Sequence, residues 1–431
     1  MPGTSPHRLS RTWRRGGSLA FAGLICCLAS QVLAQAPPPP QVDLWTTAGE
    51  QLSGSLLEID GLQLSVRVGD QNRTVPPSAV WQIVLAPGTS RPPRPRFWLH
   101  LTNGDRWGVS SVKLAGEALE FRLSFDESSP QLGVEFIAGV QPLRAATSWR
   151  TDESEWLPVV RQREKSDLVV LRNGDRQTGE FSEIGTTSIE LTGSLGKREL
   201  EWPAVAGLLM NPDLAEVPPP GKEGWGVLLA DDSGLTATAI ETTEAGRLNL
   251  TVVEGLELSI SLANVRWMTH WGPGAVPLSR VPIAEQHHIP LLGETREVAL
   301  DRNVRGLPLR LDPPSTDSTS PRQATILPTL CPLGLGLTSG MTVRWNLNRQ
   351  YRRFQCHFGL DATAGPEGHA TVTLKVDDRP PKSLTLRAGA PVILETMLDL
   401  TDARSLTIET GYGENADASD WINLFAPILV P

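Results

Sequence analysis

The stretch HATVTLKVD, His369–Asp377, decides how the chain is read. Ala370, Val372, Leu374 and Val376 alternate with His369, Thr371, Thr373 and Lys375, the period of a strand with one buried and one wet face. Neighbouring stretches obey the same rule. In YRRFQCHF, Tyr351–Phe358, the inner set is Phe354, Cys356 and Phe358, and the outer set is Arg353, Gln355 and His357. In Ser405–Glu409, Leu406 and Ile408 point inward. Short alternating strands, turn signals between them and no helical period predict an antiparallel β-sandwich of jelly-roll type for the last third.

Composition carries the all-β class to the rest of the chain. The 431 residues include 39 Gly, 36 Pro and 13 Trp, with no amphipathic run long enough for a major helix. That pattern predicts several small domains rather than one large core. Arg8, Arg11, Arg14 and Arg15 precede the apolar run Leu19–Leu33, with small residues at Ala34 and Ala36. These features predict a secretory signal peptide over residues 1–36. The run is short for a membrane span, so an exported protein with no span left after cleavage is expected in the periplasm, at the cell surface or outside the cell. Losing four Arg and no acid takes the net charge from −9 to −13. That balance argues against nucleic acid or anionic lipid as partner and favours a neutral sugar or a cation. Cys331 and Cys356 then remain. An oxidising compartment invites a disulfide between them; the alternative makes Cys356 a small core residue between two phenylalanines.

Upstream of the sandwich, one layout recurs four times: a strand, a Gly turn, alternating strands, and a Val-containing strand closing before Pro. The units are expected at 42–90, 95–145, 166–213 and 223–273. LTNGDRWG (Leu101–Gly108) and LRNGDRQTG (Leu171–Gly179) share an Asn-Gly turn, the strongest short hairpin signal. Units of this size predict small curled barrels of the SH3 or Sm kind, an analogy of fold alone. Gly104 and Gly174 are turn glycines needing positive φ. Asp105 and Asp175 are read as solvated turn residues. Trp45, Trp81, Trp202 and Trp267 are read as packing residues.

Three further signatures stand in order near the C-terminus: GLGLTS (Gly334–Ser339), YRRFQCHFGLD (Tyr351–Asp361) and DASDW (Asp417–Trp421). DRNVRG (Asp301–Gly306), followed by Leu309, precedes them. Residues 276–431 thereby resemble the NPCBM family, the carbohydrate-binding module associated with glycoside hydrolase family 98. The resemblance implies a secreted, sugar-binding β-sandwich. The family pattern has histidines where this chain has Thr338 and Ala418. If those histidines touch ligand, two polar contacts are gone; if they touch each other, their joint loss is structural.

Catalytic constellations are missing from the sequence: no HExxH, GxSxG, Walker loop, GxGxxG or CxxC. The six histidines beyond the leader are His100, His270, His287, His288, His357 and His369; the last two fall on outward strand positions and read as surface groups. No carboxylate pair stands in a recognisable glycosidase setting. The best candidate site is the loop carrying Glu414, Asn415, Asp417 and Asp420, with Trp421 after it. In one reading Trp421 stacks on a sugar while Asp420, Asp417 and Asn415 bond its hydroxyls. In a second, Glu414, Asp417 and Asp420 hold Ca²⁺. In the third, Trp421 plugs the sandwich and the acids solvate a loop. The expectation is an exported, non-enzymatic protein that binds a neutral glycan, its barrels serving as spacers or as docking units for other surface proteins. The alternative is a structural or protein-interaction component whose module no longer binds sugar.

Overall fold

A computed structural model describes residues 39–86, 94–126, 128–143, 165–194, 196–219, 221–243, 246–291, 293–311, 330–390, 392–417 and 419–431. The expected leader at 1–36 lies outside the described residues. The fold is all-β, and the helical elements among the described residues are single 3-10 turns.

Before the sandwich, one pairing order recurs. Gln41–Thr46 pairs with Gln51–Ile59, which pairs with Leu64–Val68, which pairs with Gln71–Val75. A 3-10 turn at Pro77–Ala79 then brings Val80–Leu85 back to the free edge of the first strand. The same order runs from Phe97–Leu101 to Ile137–Pro142 and from Asp167–Leu171 to Val205–Leu209. It runs again from Gly224–Leu229 to Val265–Trp271, with the second strand broken at Thr238. The turn after each first strand has one residue in the left-handed region: Gly49 (φ 83°), Gly104 (95°), Gly174 (91°) and, in the last segment, Asp232 (68°). Its N–H closes the turn onto the carbonyl three residues back, as from Gly174 to Leu171 at 2.9 Å. Lacking a Cβ, glycine takes this conformation without strain, which is what Asn-Gly signalled.

The expected barrels do not close. Val80–Leu85 gives one edge to its own first strand and the other to Val265–Trp271, in the register Trp267↔Val84 and Met268↔Ile83. Ile137–Pro142 and Val205–Leu209 join in the same way through Gly139↔Leu209 and Val140↔Leu208. A strand has two hydrogen-bonding edges, so a last strand paired on both sides has none left to seal a barrel. The result is four bent, open sheets fused edge to edge. One apolar cluster runs through all four, with Leu44, Phe97, Trp202 and Val227 among its members.

The sandwich follows expectation. One sheet orders Ala299–Leu300, Gly334–Thr338, Trp421–Val430, Arg353–Leu360 and Ile393–Asp399; the other orders Ile283–His288, Met341–Asn346, Ser405–Tyr412, His369–Val376 and Lys382–Arg387. Leu335, Phe354, Phe358, Val372, Ile408 and Leu424 fill the space between them. His369–Val376 alternates half-buried and buried residue by residue.

The outer face of Arg353–Leu360 is a correction. Expected to be wet, it is buried: His357 is 2% exposed and Gln355 0%. A third apolar cluster, with Trp45, Trp81 and Trp267 on one side and Leu309, Phe425 and Ile428 on the other, packs the first and fourth segments onto this sheet. Period-two alternation tells the two faces of a strand apart, but not whether another part of the chain covers the polar one.

Cys331 and Cys356 are buried thiols and form no disulfide. They belong to different clusters, Cys331 to the one beneath the segments and Cys356 to the sandwich core. Burial pushes the Cys331 thiol up to about 12.

Candidate functional site

The strand Gly334–Thr338 lays out the site. Leu335 and Leu337 face Leu424 and Ile422 in the core, so Gly334, Gly336 and Thr338 share the outer face with Phe425, Asn423 and Trp421. A Cβ on Gly336 would stand 2.5 Å from the carbonyl oxygen of Arg302 and 2.6 Å from backbone carbon of Asn303. The glycines in GLG are there because the chain at residues 301–306 lies directly across them.

A buried polar knot ties that stretch down. Asn303 Nδ2 donates to Asp361 Oδ2 at 3.0 Å, and Asn423 Nδ2 donates to the same oxygen at 2.7 Å. Asn303 Oδ1 accepts from the N–H groups of Arg305 and Leu307, each at 2.9 Å. Asp301 Oδ1 accepts from Gly334 N–H at 3.0 Å. Three sequence signatures therefore converge on one structural device. Asn303 lies inside the DRNVRG signature, yet its pairing with Asp361 and Asn423 joins residues too far apart in sequence for spacing to reveal.

The knot delivers Arg305 to Trp421. The guanidinium carbon stands 4.9 Å from the indole centroid, a cation–π contact. Trp421 is half-buried on the outer face of its sheet rather than between the sheets. Among the described residues its indole N–H makes no hydrogen bond. Thr338, directly opposite across the strands, stands on the same face beside it.

The acidic loop is disposed differently. Asp420 is 1% exposed, and its Oδ1 accepts from His369 N–H at 3.0 Å. Desolvation raises its carboxyl above the ordinary value, with that N–H pulling the other way. Glu414 is exposed, and its bond to Arg387 at 2.8 Å holds its carboxyl below the usual range. Its backbone N–H donates to His369 Nδ1 at 2.7 Å, which leaves the ring proton on Nε2. Asn415 Nδ2 donates to the carbonyl and the carboxylate of Glu367, each at 3.0 Å. Asp417 is half-buried, and Ala418 lies outside the described residues. Glu414, Asn415 and Asp420 thus stitch this loop to the edge of the second sheet, while Trp421 faces away toward Arg305. Among the described residues no three His, Cys, Asp or Glu side chains are grouped so as to hold a metal ion.

The order GLG, Gly359-to-Asp361 and Asp420-Trp421, locked around one knot, is now explained by its geometry. Residues 276–429 match the family model of the NPCBM/NEW2 domain. The match covers the C-terminal third, the part whose signatures resemble that family. Solved structures similar to the chain include CBM51 modules. One, from Clostridium perfringens ZmpB, holds CBM51-2 with GlcNAc and INT domains (16% identity, TM-score 0.30, 45% of this chain and 38% of that one). Another is CBM51 from Clostridium perfringens GH95 with methyl-galactose (14% identity, TM-score 0.31, 36% of this chain and 99% of that one). A third is the tandem CBM51 pair of a family 98 glycoside hydrolase from Streptococcus pneumoniae (12% identity, TM-score 0.28, 62% of this chain and 89% of that one). No curated protein matches the chain. In the NPCBM/NEW2 module the face of the first sheet is divided in two: its Phe425–Ile428 end lies under the segments, and its Trp421 end is left to Arg305.

Proposed function

We propose that the protein is an exported, non-catalytic carbohydrate binder whose module takes a neutral glycan at the Trp421 end of its first sheet. The observation that carries this reading is the half-buried indole of Trp421, outside the core, with an uncommitted N–H and the Arg305 guanidinium over its ring. An indole edge with its N–H and a fork of guanidinium donors can receive sugar hydroxyls, while the exposed part of the ring meets a C–H face. In this reading the Glu414–Asp420 loop is scaffolding, and binding needs no calcium. The four fused sheets hold the module at a fixed attitude.

A specific observation favours a second reading, that of an interaction or structural protein. Arg305 covers one face of the indole, and Thr338 stands where the family pattern has a histidine. A glycan array on the full chain decides. Selective neutral-sugar signals, unchanged by chelator and abolished by Trp421→Ala with the melting temperature retained, support sugar binding. A flat array from well-folded protein supports the second reading.

A further inference from the structure

A cavity of about 290 Å³ opens where three parts of the chain meet: the turn at Leu101–Arg106, the stretch from Asp232 to Thr236, and the run from Asp301 to Pro308. Neither Trp421 nor Arg305 lines it, so it is separate from the site above. Leu228, Leu307 and Pro332 give it an apolar side.

Most charged groups in its wall are already engaged. Asp105 was expected to be solvated; it is 5% exposed, and its Oδ2 accepts from Thr236 N–H at 2.9 Å. Arg106 lies over the Trp98 ring at 4.1 Å and donates to the carbonyl of Asp232 at 3.2 Å. Arg280 pairs with Asp301 at 3.2 Å. Arg302 differs. It is exposed and makes no hydrogen bond or ion pair among the described residues. One of its terminal nitrogens stands 3.9 Å from where a Cβ on Gly104 would be. The turn that demands glycine, with φ 95°, therefore also leaves room for the guanidinium over it.

An unpaired guanidinium matches a carboxylate through two parallel N–H···O bonds, a geometry that no neutral hydroxyl reproduces. The apolar side suits the C–H face of a ring. The volume stands at the lower end of small-molecule sites, about 300 Å³ upward, so it fits one ring and not a polymer. The wall carries three arginines, at 106, 280 and 302, against three aspartates, at 105, 232 and 301, so the attraction for an anion comes from Arg302, the one arginine not already engaged, and not from the wall's net charge. We propose that this cavity binds a small carboxylate of the size of one sugar acid, with Arg302 as its anchor.

The test is calorimetric titration of the full chain with D-glucuronate and D-galacturonate, against glucose and galactose as neutral controls. With the Trp421→Ala variant, which removes the proposed glycan site, the acids bind and the neutral sugars give no heat. Arg302→Gln weakens the acids at least tenfold without moving the melting temperature, since the side chain is exposed and unpaired. Leu300→Trp, at the half-exposed rim, blocks them by filling the mouth. Trp421→Ala leaves them untouched, which separates this site from the glycan reading. Absence of uronate binding, binding that survives Arg302→Gln, or binding lost with Trp421→Ala would each overturn the assignment.

Discussion

The imidazole of His357 stacks on the indole of Trp81, ring centroids 5.0 Å apart and planes 16° from parallel. Trp81 belongs to the last strand of the first segment and His357 to the sandwich, so this stack is the rivet between them. Trp81 Nε1 also donates to the carbonyl of Ala426 at 3.0 Å. Trp267 Nε1 can only donate, so Gln82 must present its oxygen there, at 3.2 Å. The amide nitrogen of Gln82 is then left to donate to His357 Nε2 at 2.8 Å, and the ring proton sits on Nδ1.

Trp81 is fully buried among the tryptophans that join the two parts. Trp81→Ala removes an indole from a packed site and should cost about 3–5 kcal/mol, the usual loss for a large aromatic truncated in a core. Urea unfolding followed by tryptophan fluorescence measures it. A loss under about 1 kcal/mol would mean the two parts barely depend on each other.

Acid should loosen the same joint. Burial lowers the His357 pKa from 6.5 to about 3. The unfolded chain binds this proton near pH 6.5 and the folded chain only near 3. Stability is therefore complete above pH 6.5 and falls as pH drops through that window, with a slope approaching about 1.4 kcal/mol per pH unit. His100 shifts the same way, to about 3, through desolvation and then Arg106, though its partial exposure weakens its share. Raised carboxyls such as Asp105 and Asp420 act in the opposite sense, over a window that runs upward from the ordinary carboxylate value. Against that background His357 should pull the melting temperature down between pH 6.5 and 5. His357→Phe should lower it at pH 7, because the Gln82 amide loses its acceptor, and should flatten its decline below pH 6.5. An equal slope in this variant would remove His357 as the cause.

Gly336→Ala tests the knot. The added methyl has no space against the Arg302 and Asn303 backbone. The 301–306 stretch must lift, at a cost of about 1–3 kcal/mol as for other overpacked sites. Arg305 rides on that stretch, so any sugar affinity at Trp421 should fall with stability. Gly174→Ala is the control. Nothing lies within 4 Å of its Cβ position, so its left-handed φ alone should cost about 1–2 kcal/mol and leave binding unchanged.

How much of this was legible in the sequence follows from what each signal reports. Alternation in His369–Val376 gave the strand and its inner face, because burial on one side is a local property of a pleated chain. Asn-Gly gave the turns at Gly104 and Gly174, because φ is local too. Barrel closure is not legible locally, because the edge of Val80–Leu85 is claimed by a strand some 185 residues later. The burial of His357 is hidden for the same reason, its covering partner being 276 residues upstream. At the candidate site, residue type alone singles out Trp421, whereas Arg305 above it depends on the Asn303–Asp361–Asn423 knot, which exists only once the chain has folded.

The cysteines offer the last prediction. Cys331 Sγ donates to the Leu333 carbonyl at 2.8 Å and lies 2% exposed, while Cys356 is 0% exposed between Phe354 and Phe358. The nucleophile in alkylation is the thiolate, and a thiol held up to about 12 supplies almost none at pH 8. Iodoacetamide on the folded protein, followed by peptide mass mapping, should leave both residues unmodified. The same treatment in guanidinium, without reductant, should label both. Peptides that stay unlabelled until reductant is added would reveal a bridge, and with it a different packing of the two clusters in which these sulfurs sit.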